Sequence, residues 1–340
     1  MRNPTIDVLK ALASQVIVVH HLLLYTPMSD ALQAQWPTLL GILADEGRYV
    51  VQVFLVIGGY LAAQSLMRLL THHANTPLIG LGWKRFLRLA KPFWAAMVCA
   101  VFCIWLAGRI AFDTETNTLP SLAQVLTHAT LTYDIAGVPA LSAGVWYVAI
   151  DLQLFLITLF LIHCARWAAE RLGVSATRLV LGGVVLLTVL GLFWWNRNPA
   201  LDEWGWYFIG SYGLGFMAHW AGKNGYRKQA NVAIVLCLWA CLLVEWRERL
   251  LLTGFVALLL LNHVQVSGFF ARMATKPVQW LSDVSYSVFL IHYGVAVLAS
   301  AVVIELNVQS LSGNMVAFVL TWAAGIAAGW LLHKGVESSS

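Results

Sequence analysis

Residues 6–25 read IDVLKALASQVIVVHHLLLY, a stretch long and apolar enough to cross a bilayer as a helix. Lys10 and His21 interrupt it. An 11-residue step along an α-helix turns only about 20° beyond three full turns and rises roughly 16 Å, so these two side chains share one face at different depths. His20 points about 100° away from that face. A cation and an imidazole are costly inside a membrane, so their shared face indicates a functional site.

Lys10 also has a purely structural interpretation. It can extend its ammonium group to the inner membrane surface and pair with Asp7, one turn earlier, while His21 bonds to a backbone carbonyl. The first segment alone does not choose between this interpretation and a functional site.

Apolar stretches of this length recur along the whole chain. Of its 340 residues, 60% are hydrophobic and 11% charged, a composition that excludes a soluble α/β protein. We therefore predict an all-α, polytopic membrane protein. About ten transmembrane helices are expected, near residues 6–26, 48–70, 92–112, 143–164, 177–195, 204–221, 230–246, 250–263, 279–303 and 313–335. The segment at 250–263 is short for a full span, which predicts a tilted, kinked or partly re-entrant helix.

The basic residues are distributed asymmetrically between the two sides of this arrangement. If the first segment leaves the cytoplasm, 16 of the 21 Lys and Arg residues are cytoplasmic. The five on the other side are Arg48, Arg109, Arg197, Arg247 and Arg249. Both termini are therefore predicted to be cytoplasmic. Topology and anionic lipid explain the net charge of +5, so no nucleic-acid partner is expected.

Several other classes of protein lack support in the sequence. The strings GxxxxGK[S/T], GxGxxG, GxSxG and HExxH do not occur, which argues against nucleotide hydrolysis and soluble-type hydrolase mechanisms. The five cysteines lie in or beside apolar segments without zinc-type spacing, so we expect no metal site and no disulfide. The polar stretches are too short for a core of their own. We predict one membrane domain over residues 1–336 and a tail at 337–340.

Two stretches place small or basic residues at notable positions. The second segment, VVQVFLVIGGYLAAQSL, contains Gly58 and Gly59. Adjacent glycines admit a ligand or, with about equal support, a neighbouring helix. The string WKRFLRLAKP puts Arg85 and Arg88 about one helical turn apart before the third segment. Such a run is usually a positive-inside anchor, but the same arginines can bind the phosphates of a cytoplasmic donor.

Two later segments carry buried polar residues. The fourth segment begins GVWYVAIDLQLF and contains Asp151, which must be protonated, paired or directed into a cavity. A Lys or Arg partner is the main structural alternative to a catalytic role. The string WLSDVSYSVFLIHYGV places Ser285, Tyr286 and His292 on one helix. Ser285 and His292 share a face, a pattern more typical of helix-to-helix hydrogen bonding than of a nucleophile and its base.

These five strings, in this order, resemble the acyltransferase-3 family of integral membrane acyltransferases over nearly the whole chain. The first helix of the family pattern carries a basic residue, ten others and a histidine. Lys10 and His21 match it, with Lys where Arg is more usual.

The other four elements also have counterparts, with two departures. The family's F-F-x-I-S-G-F/Y compares with FLVIGGY, so that Gly58 replaces a serine. R-R-x-x-R-I-x-P is similar to KRFLRLAKP, which has one extra residue before the proline. W-x-L-x-x-E looks like Trp146 to Asp151, with Asp in place of Glu. G-D-x-S-Y-x-x-Y-L-x-H resembles the stretch from Ser282 to His292.

The resemblance implies a reaction, a location and roles for these residues. A cytoplasmic acyl-CoA, by default acetyl-CoA, acts as donor substrate rather than bound cofactor, and a hydroxyl of an extracytoplasmic glycan or small molecule is acylated at a bacterial cytoplasmic (inner) membrane. His21 is the candidate base or transient acyl carrier, assisted by Asp151 or Lys10, and Arg85 and Arg88 bind the donor's phosphates. The remaining substrate-binding candidates are Gly58, Gly59, Trp146, Ser285, Tyr286 and His292.

Partners and alternative functions follow from the same features. We expect an acyl-CoA donor, a hydroxylated acceptor and membrane lipid as partners. A second copy of the chain and a separate extracytoplasmic transfer protein are further candidates. A transporter or flippase would use the same buried charges to hold a polar substrate, although no inverted repeat is evident. A catalytically inactive membrane partner is a third hypothesis, because Gly58 and Asp151 depart from the family pattern.

Overall fold

The computed structural model describes residues 2–71, 76–111 and 120–338. Every regular element in these ranges is a helix, which confirms the all-α prediction. Fourteen α-helices are numbered here in chain order as α1 Pro4–Tyr25, α2 Met28–Gln35, α3 Pro37–Glu46, α4 Val51–Thr71, α5 Leu78–Ile110, α6 Leu122–Ala129, α7 Trp146–Leu172, α8 Ala176–Phe193, α9 Gly205–Lys223, α10 Arg227–Val244, α11 Arg249–Leu261, α12 His263–Met273, α13 Lys276–Glu305 and α14 Leu311–Leu332.

Eight helices of the described chain are long and apolar enough to span a membrane, or nine if one bent pair counts as a span. The eight cover the predicted segments apart from those near 204–221 and 250–263. The segment near 204–221 forms α9, which is not among the candidate spans. Its glycine, tyrosine and tryptophan residues make it less apolar than its neighbours. The polytopic membrane prediction is therefore confirmed, with eight or nine candidate spans.

The short segment near 250–263 forms α11, and a sharp bend follows it. The axes of α11 and α12 differ by 98°. Asn262 lies at the break, where its side-chain amide donates to the carbonyl of Leu258 at 2.8 Å and to Oδ1 of Asn231 at 2.8 Å. An amide that bonds backbone and a neighbouring side chain competes with continuation of the helix. The prediction of a kinked element is confirmed.

The described chain divides into two compact units. The first unit comprises Met1–Leu9, Val51–Phe86 and Val148–Thr275. Within it, α4 packs closely on α9. A Cβ on Gly59 would collide with the backbone carbonyl of Tyr212, and a Cβ on Gly215 would collide with that of Val56. Glycine therefore lets two helix backbones meet, as the packing interpretation of Gly59 required.

The second unit comprises Lys10–Val50, Leu87–Tyr147 and Lys276–Ser340. Its helices α13 and α14 pack along their length, and α14 carries Gly329 where a Cβ would lie 2.6 Å from the Cα of Val288. A core forms between α1 and α13 from Val18, Leu22, Val284, Val288 and Ala296. Glu337, assigned to the tail from sequence, accepts a hydrogen bond from Ser287 at 2.6 Å. Ser339 and Ser340 lie outside the described residues.

Candidate functional site

Two histidines from distant parts of the sequence meet in the second unit. Nδ1 of His21, on α1, lies 2.7 Å from Nε2 of His292, on α13. The rings are nearly parallel, with an interplanar angle of 8° and centroids 5.0 Å apart. His21 is 8% exposed and His292 is 1% exposed. The sequence identified each residue as a candidate, but the pair itself was not predicted, because 271 residues separate them.

Backbone contacts determine where the protons of this neutral pair lie. Nδ1 of His292 is 3.1 Å from the carbonyl oxygen of Val288, which can only accept. His292 therefore donates from Nδ1 and accepts at Nε2. His21 must then donate from Nδ1, which leaves the lone pair of His21 on Nε2. The relay presents an unprotonated nitrogen, the state that a general base requires.

Gly144 lets the loop before α7 lie against the His21 ring. Its φ is +76°, a backbone conformation that favours glycine. A Cβ there would lie 2.7 Å from Cε1 of His21 and 3.3 Å from the ring of Phe289. Any larger residue would displace the imidazole. No sequence pattern pointed to Gly144, which lies two residues before the start of α7 at Trp146.

His20 has different surroundings, as its position on the helix predicted. Its Nδ1 lies 3.1 Å from the carbonyl oxygen of Leu43. A Cβ on Gly47 would approach the His20 ring at 2.7 Å. His20 is thus held by α3 and the turn that follows it, which makes it a matched control for His21.

Asp151 and Arg85 form an ion pair within the first unit. The Arg85 guanidinium donates to Oδ2 of Asp151 at 2.5 Å, and the Asp151 side chain is 6% exposed. The structural alternative proposed for Asp151, a basic partner, is therefore present. A Cβ on Gly58 would lie 3.5 Å from Oδ1 of Asp151 and 3.5 Å from the ring of Tyr212. The two departures from the family pattern, Gly58 and Asp151, thus face each other.

Other candidate residues make mainly structural contacts. The Ser285 hydroxyl donates to the carbonyl of Ser282, 2.8 Å away on the same helix, which favours the helix-stabilising interpretation. The Tyr286 hydroxyl donates to the carbonyl of Leu89 at 2.9 Å and so joins α13 to α5.

The last three candidates differ in exposure. Trp146, the first residue of α7, and Lys10, on α1, are partly buried. Arg88 is exposed on α5. In the described ranges, no group of three or more His, Cys, Asp or Glu residues has an arrangement that could hold a metal ion.

Comparison with known proteins assigns the chain to a family. Residues 3–334 match the family model described as an acyltransferase domain. The chain belongs to this family. The order of its motifs indicated the same family. No solved structure matches it.

Two curated relatives of this chain are distant. The peptidoglycan O-acetyltransferase OatA of Listeria monocytogenes is 22% identical over 334 residues, which cover 88% of this chain and 50% of that protein. The regulator of hypoxia-inducible factor 1 of Caenorhabditis elegans is 25% identical over 167 residues, 47% of this chain and 32% of that protein. The chain thus spans half or less of the length of these relatives.

Proposed function

We propose that this acyltransferase moves an acetyl group from cytoplasmic acetyl-CoA to a hydroxyl of an extracytoplasmic glycan, in the inner membrane of a bacterium. The hydrogen-bonded pair of His21 and His292 is the observation that carries the proposal, because it supplies a buried base with a defined tautomer. The similarity to a peptidoglycan O-acetyltransferase supports acetyl as the group and a glycan as the acceptor.

The reaction follows from the protonation state of the pair. Nε2 of His21 takes the proton of the acceptor hydroxyl as the oxygen attacks the carbonyl carbon of the thioester. The tetrahedral intermediate then collapses, the carbon–sulfur bond breaks, and the ester forms. The leaving CoA thiolate takes the proton from His21, so the imidazole returns to its starting state. No other reactant is needed.

His292 acts in this mechanism as a positioning residue. Its Nε2 accepts the Nδ1 proton of His21 and so holds that ring in one orientation and one tautomer. Partners that orient an imidazole in this way typically change activity by roughly 10- to 100-fold. The carbonyl of Val288 in turn fixes His292. The relay ends on backbone, which cannot change protonation state.

Arg85 and Arg88 are proposed to bind the phosphates of the donor, and Lys10 to contribute positive charge about 16 Å along α1 from His21, on the same helix face. The two arginines differ in how available they are. Arg88 is exposed, whereas Arg85 already donates to Asp151. Arg88 is therefore the cleaner test of donor binding.

Acetyl transfer by purified protein tests the proposal. The full chain is reconstituted in liposomes with radiolabelled acetyl-CoA and a glycan acceptor, and wild type is compared with His21→Ala and His20→Ala. Transfer by wild type and by His20→Ala, with none by His21→Ala at equal amounts of folded protein, is the expected result. Equal transfer by wild type and His21→Ala would refute the assignment of His21 as the base.

A further inference from the structure

A cavity with several polar and charged lining residues lies in the first unit. Its volume is about 530 Å³, and its polar lining includes Arg2, Tyr60, Gln64, His219, Lys223 and His263. A smaller cavity of about 230 Å³ shares Gln64, His219 and Lys223 and adds Arg68. Both volumes are small for a whole cofactor but ample for a phosphate or diphosphate group.

The charged residues that line this cavity carry a net positive charge. Its charged residues are Arg2, Lys223 and Asp7, and the carboxylate of Asp7 accepts a hydrogen bond from Nε of Arg2 at 2.6 Å. The carboxylate of Asp7 is therefore paired with Arg2, one of the two cations that line the cavity. Arg68 adds a third cation in the adjoining space. Such a set of groups attracts an anion.

Tyr60 and the two histidines are arranged as ligand-binding groups. Nδ1 of His263 donates to the carbonyl of Leu260 at 2.9 Å, so it has no lone pair for the Tyr60 hydroxyl, which lies 3.4 Å away. The Tyr60 hydroxyl can therefore donate a hydrogen bond to another acceptor. The ring of His219 meets that of Tyr60 edge-on at 4.7 Å. Its Nδ1 is buried and has no hydrogen-bond partner among the described residues.

The bend between α11 and α12 adds a helix N-terminus to the same cavity. The first two residues of α12, His263 and Val264, line it. No side chain caps this end of α12. The uncapped start of α12 and the positive end of its helix dipole both favour an anion.

We propose that this cavity binds the phosphate group of an organic phosphate through Tyr60, Lys223, His219 and the start of α12. The proposal deepens the proposed function, because a CoA donor carries a 3′-phosphate besides its diphosphate, so this cavity holds one of these groups and Arg85 and Arg88 hold the other. Arg2 and Lys223 are on the side predicted to be cytoplasmic. An anionic lipid headgroup offers the same chemistry. Binding can be measured without any acyl transfer, so the failure of one proposal is distinguishable from the failure of the other.

The experiment compares two matched double variants of the full chain. Tyr60→Phe/Lys223→Gln removes a hydroxyl and a charge from the cavity. Tyr226→Phe/Lys228→Gln makes the same changes at exposed residues that do not line it. Calorimetry measures the Kd of coenzyme A and of dephospho-coenzyme A in detergent. The Tm is measured in nanodiscs of phosphatidylglycerol and of phosphatidylcholine.

Either phosphate source gives a distinct supporting result. A Kd for coenzyme A at least about tenfold weaker in the cavity variant, and unchanged in the control variant, assigns the cavity to the donor. A phosphatidylglycerol-dependent rise in Tm that only the cavity variant loses assigns it to a lipid headgroup. The same binding and Tm in all three proteins, or no response of wild type to any probe, would overturn the proposal. His21→Ala should bind coenzyme A like wild type. Phosphate binding in the cavity can therefore be measured in a variant that lacks acyl transfer.

Discussion

The imidazole of His21 donates to Nε2 of His292 across 2.7 Å, and His292 donates to the carbonyl of Val288. This order of donors leaves Nε2 of His21 as the unprotonated ring nitrogen that accepts no hydrogen bond within the pair, because Nε2 of His292 accepts from His21. A neighbouring histidine, His20, bonds to the carbonyl of Leu43 instead. One turn of α1 thus carries two histidines whose removal should have different effects.

We expect His21→Ala to lower acetyl transfer by a factor of about 10² to 10⁴, because the reaction loses its general base. His20→Ala should keep most activity, since His20 contacts only a backbone carbonyl and packing neighbours. The measurement is the initial rate of labelled acetyl transfer, normalised to folded protein by size-exclusion chromatography. A similar loss in both variants would indicate a structural effect on α1 instead.

Substitution of His292 tests the relay. Glutamine keeps an oxygen that can accept the Nδ1 proton of His21, whereas leucine keeps only bulk. We therefore expect His292→Leu to lower the rate by roughly 10- to 100-fold and His292→Gln to recover part of that loss. Both variants should show the Tm of wild type within a few degrees. Equal rates for the two variants would assign His292 to packing alone.

Gly58 and Gly59 are adjacent but should respond differently to the same substitution. A Cβ at residue 58 meets Oδ1 of Asp151 at an ordinary contact distance of 3.5 Å, and a serine there can donate to that carboxylate. We expect Gly58→Ser to fold normally. Gly59→Ser would push α4 away from the backbone of α9 at Tyr212, so it should yield little folded protein. Fluorescence-detected size-exclusion chromatography measures both. Good folding of Gly59→Ser would contradict the close approach of the two helices.

Substitution of Arg88 tests donor binding, whereas substitution of Arg85 tests stability. Arg88→Gln should raise the KM for acetyl-CoA with a smaller fall in kcat, the result expected when ground-state binding is lost. Arg85→Gln leaves the buried carboxylate of Asp151 without this partner, which costs up to about 3–5 kcal/mol in comparable pairs. Arg85→Gln/Asp151→Asn should recover folded protein. An unchanged KM for Arg88→Gln would remove it from the donor site.

Membrane orientation is tested by reporter fusions. The distribution of Lys and Arg predicts a cytoplasmic reporter after Lys228 and an external one after Asp202, which requires α9 to cross the membrane although it is not among the candidate spans. A third fusion, after Glu115, should also be external, although Glu115 lies outside the described residues. Alkaline phosphatase and green fluorescent protein fusions report the two sides. A cytoplasmic signal after Asp202 would invert this part of the topology.

The bend after α11 shows how much of the fold a local sequence pattern can predict. Its short apolar length predicted a tilted, kinked or partly re-entrant helix, and the chain bends by 98° at Asn262. Hydropathy also predicted a helix at the position of α9. The close packing of α9 on α4 depends on Gly59 and Gly215, and no local sequence pattern shows that these two glycines lie at the same interface. The choice between a ligand and a helix at Gly59 could be made only with both backbones in view.

The sequence by itself determined that the chain is helical and membrane-spanning, that Lys10 and His21 share a face, and that its motifs follow the acyltransferase order. Helical periodicity and the cost of burying polar groups act within one segment, so they can be read from neighbouring residues. Only the tertiary structure decided that His21 bonds His292, that Asp151 pairs with Arg85, and that Gly144 covers the His21 ring. Each of these contacts joins segments far apart in the chain, and the packing of whole helices, not local periodicity, selects such partners.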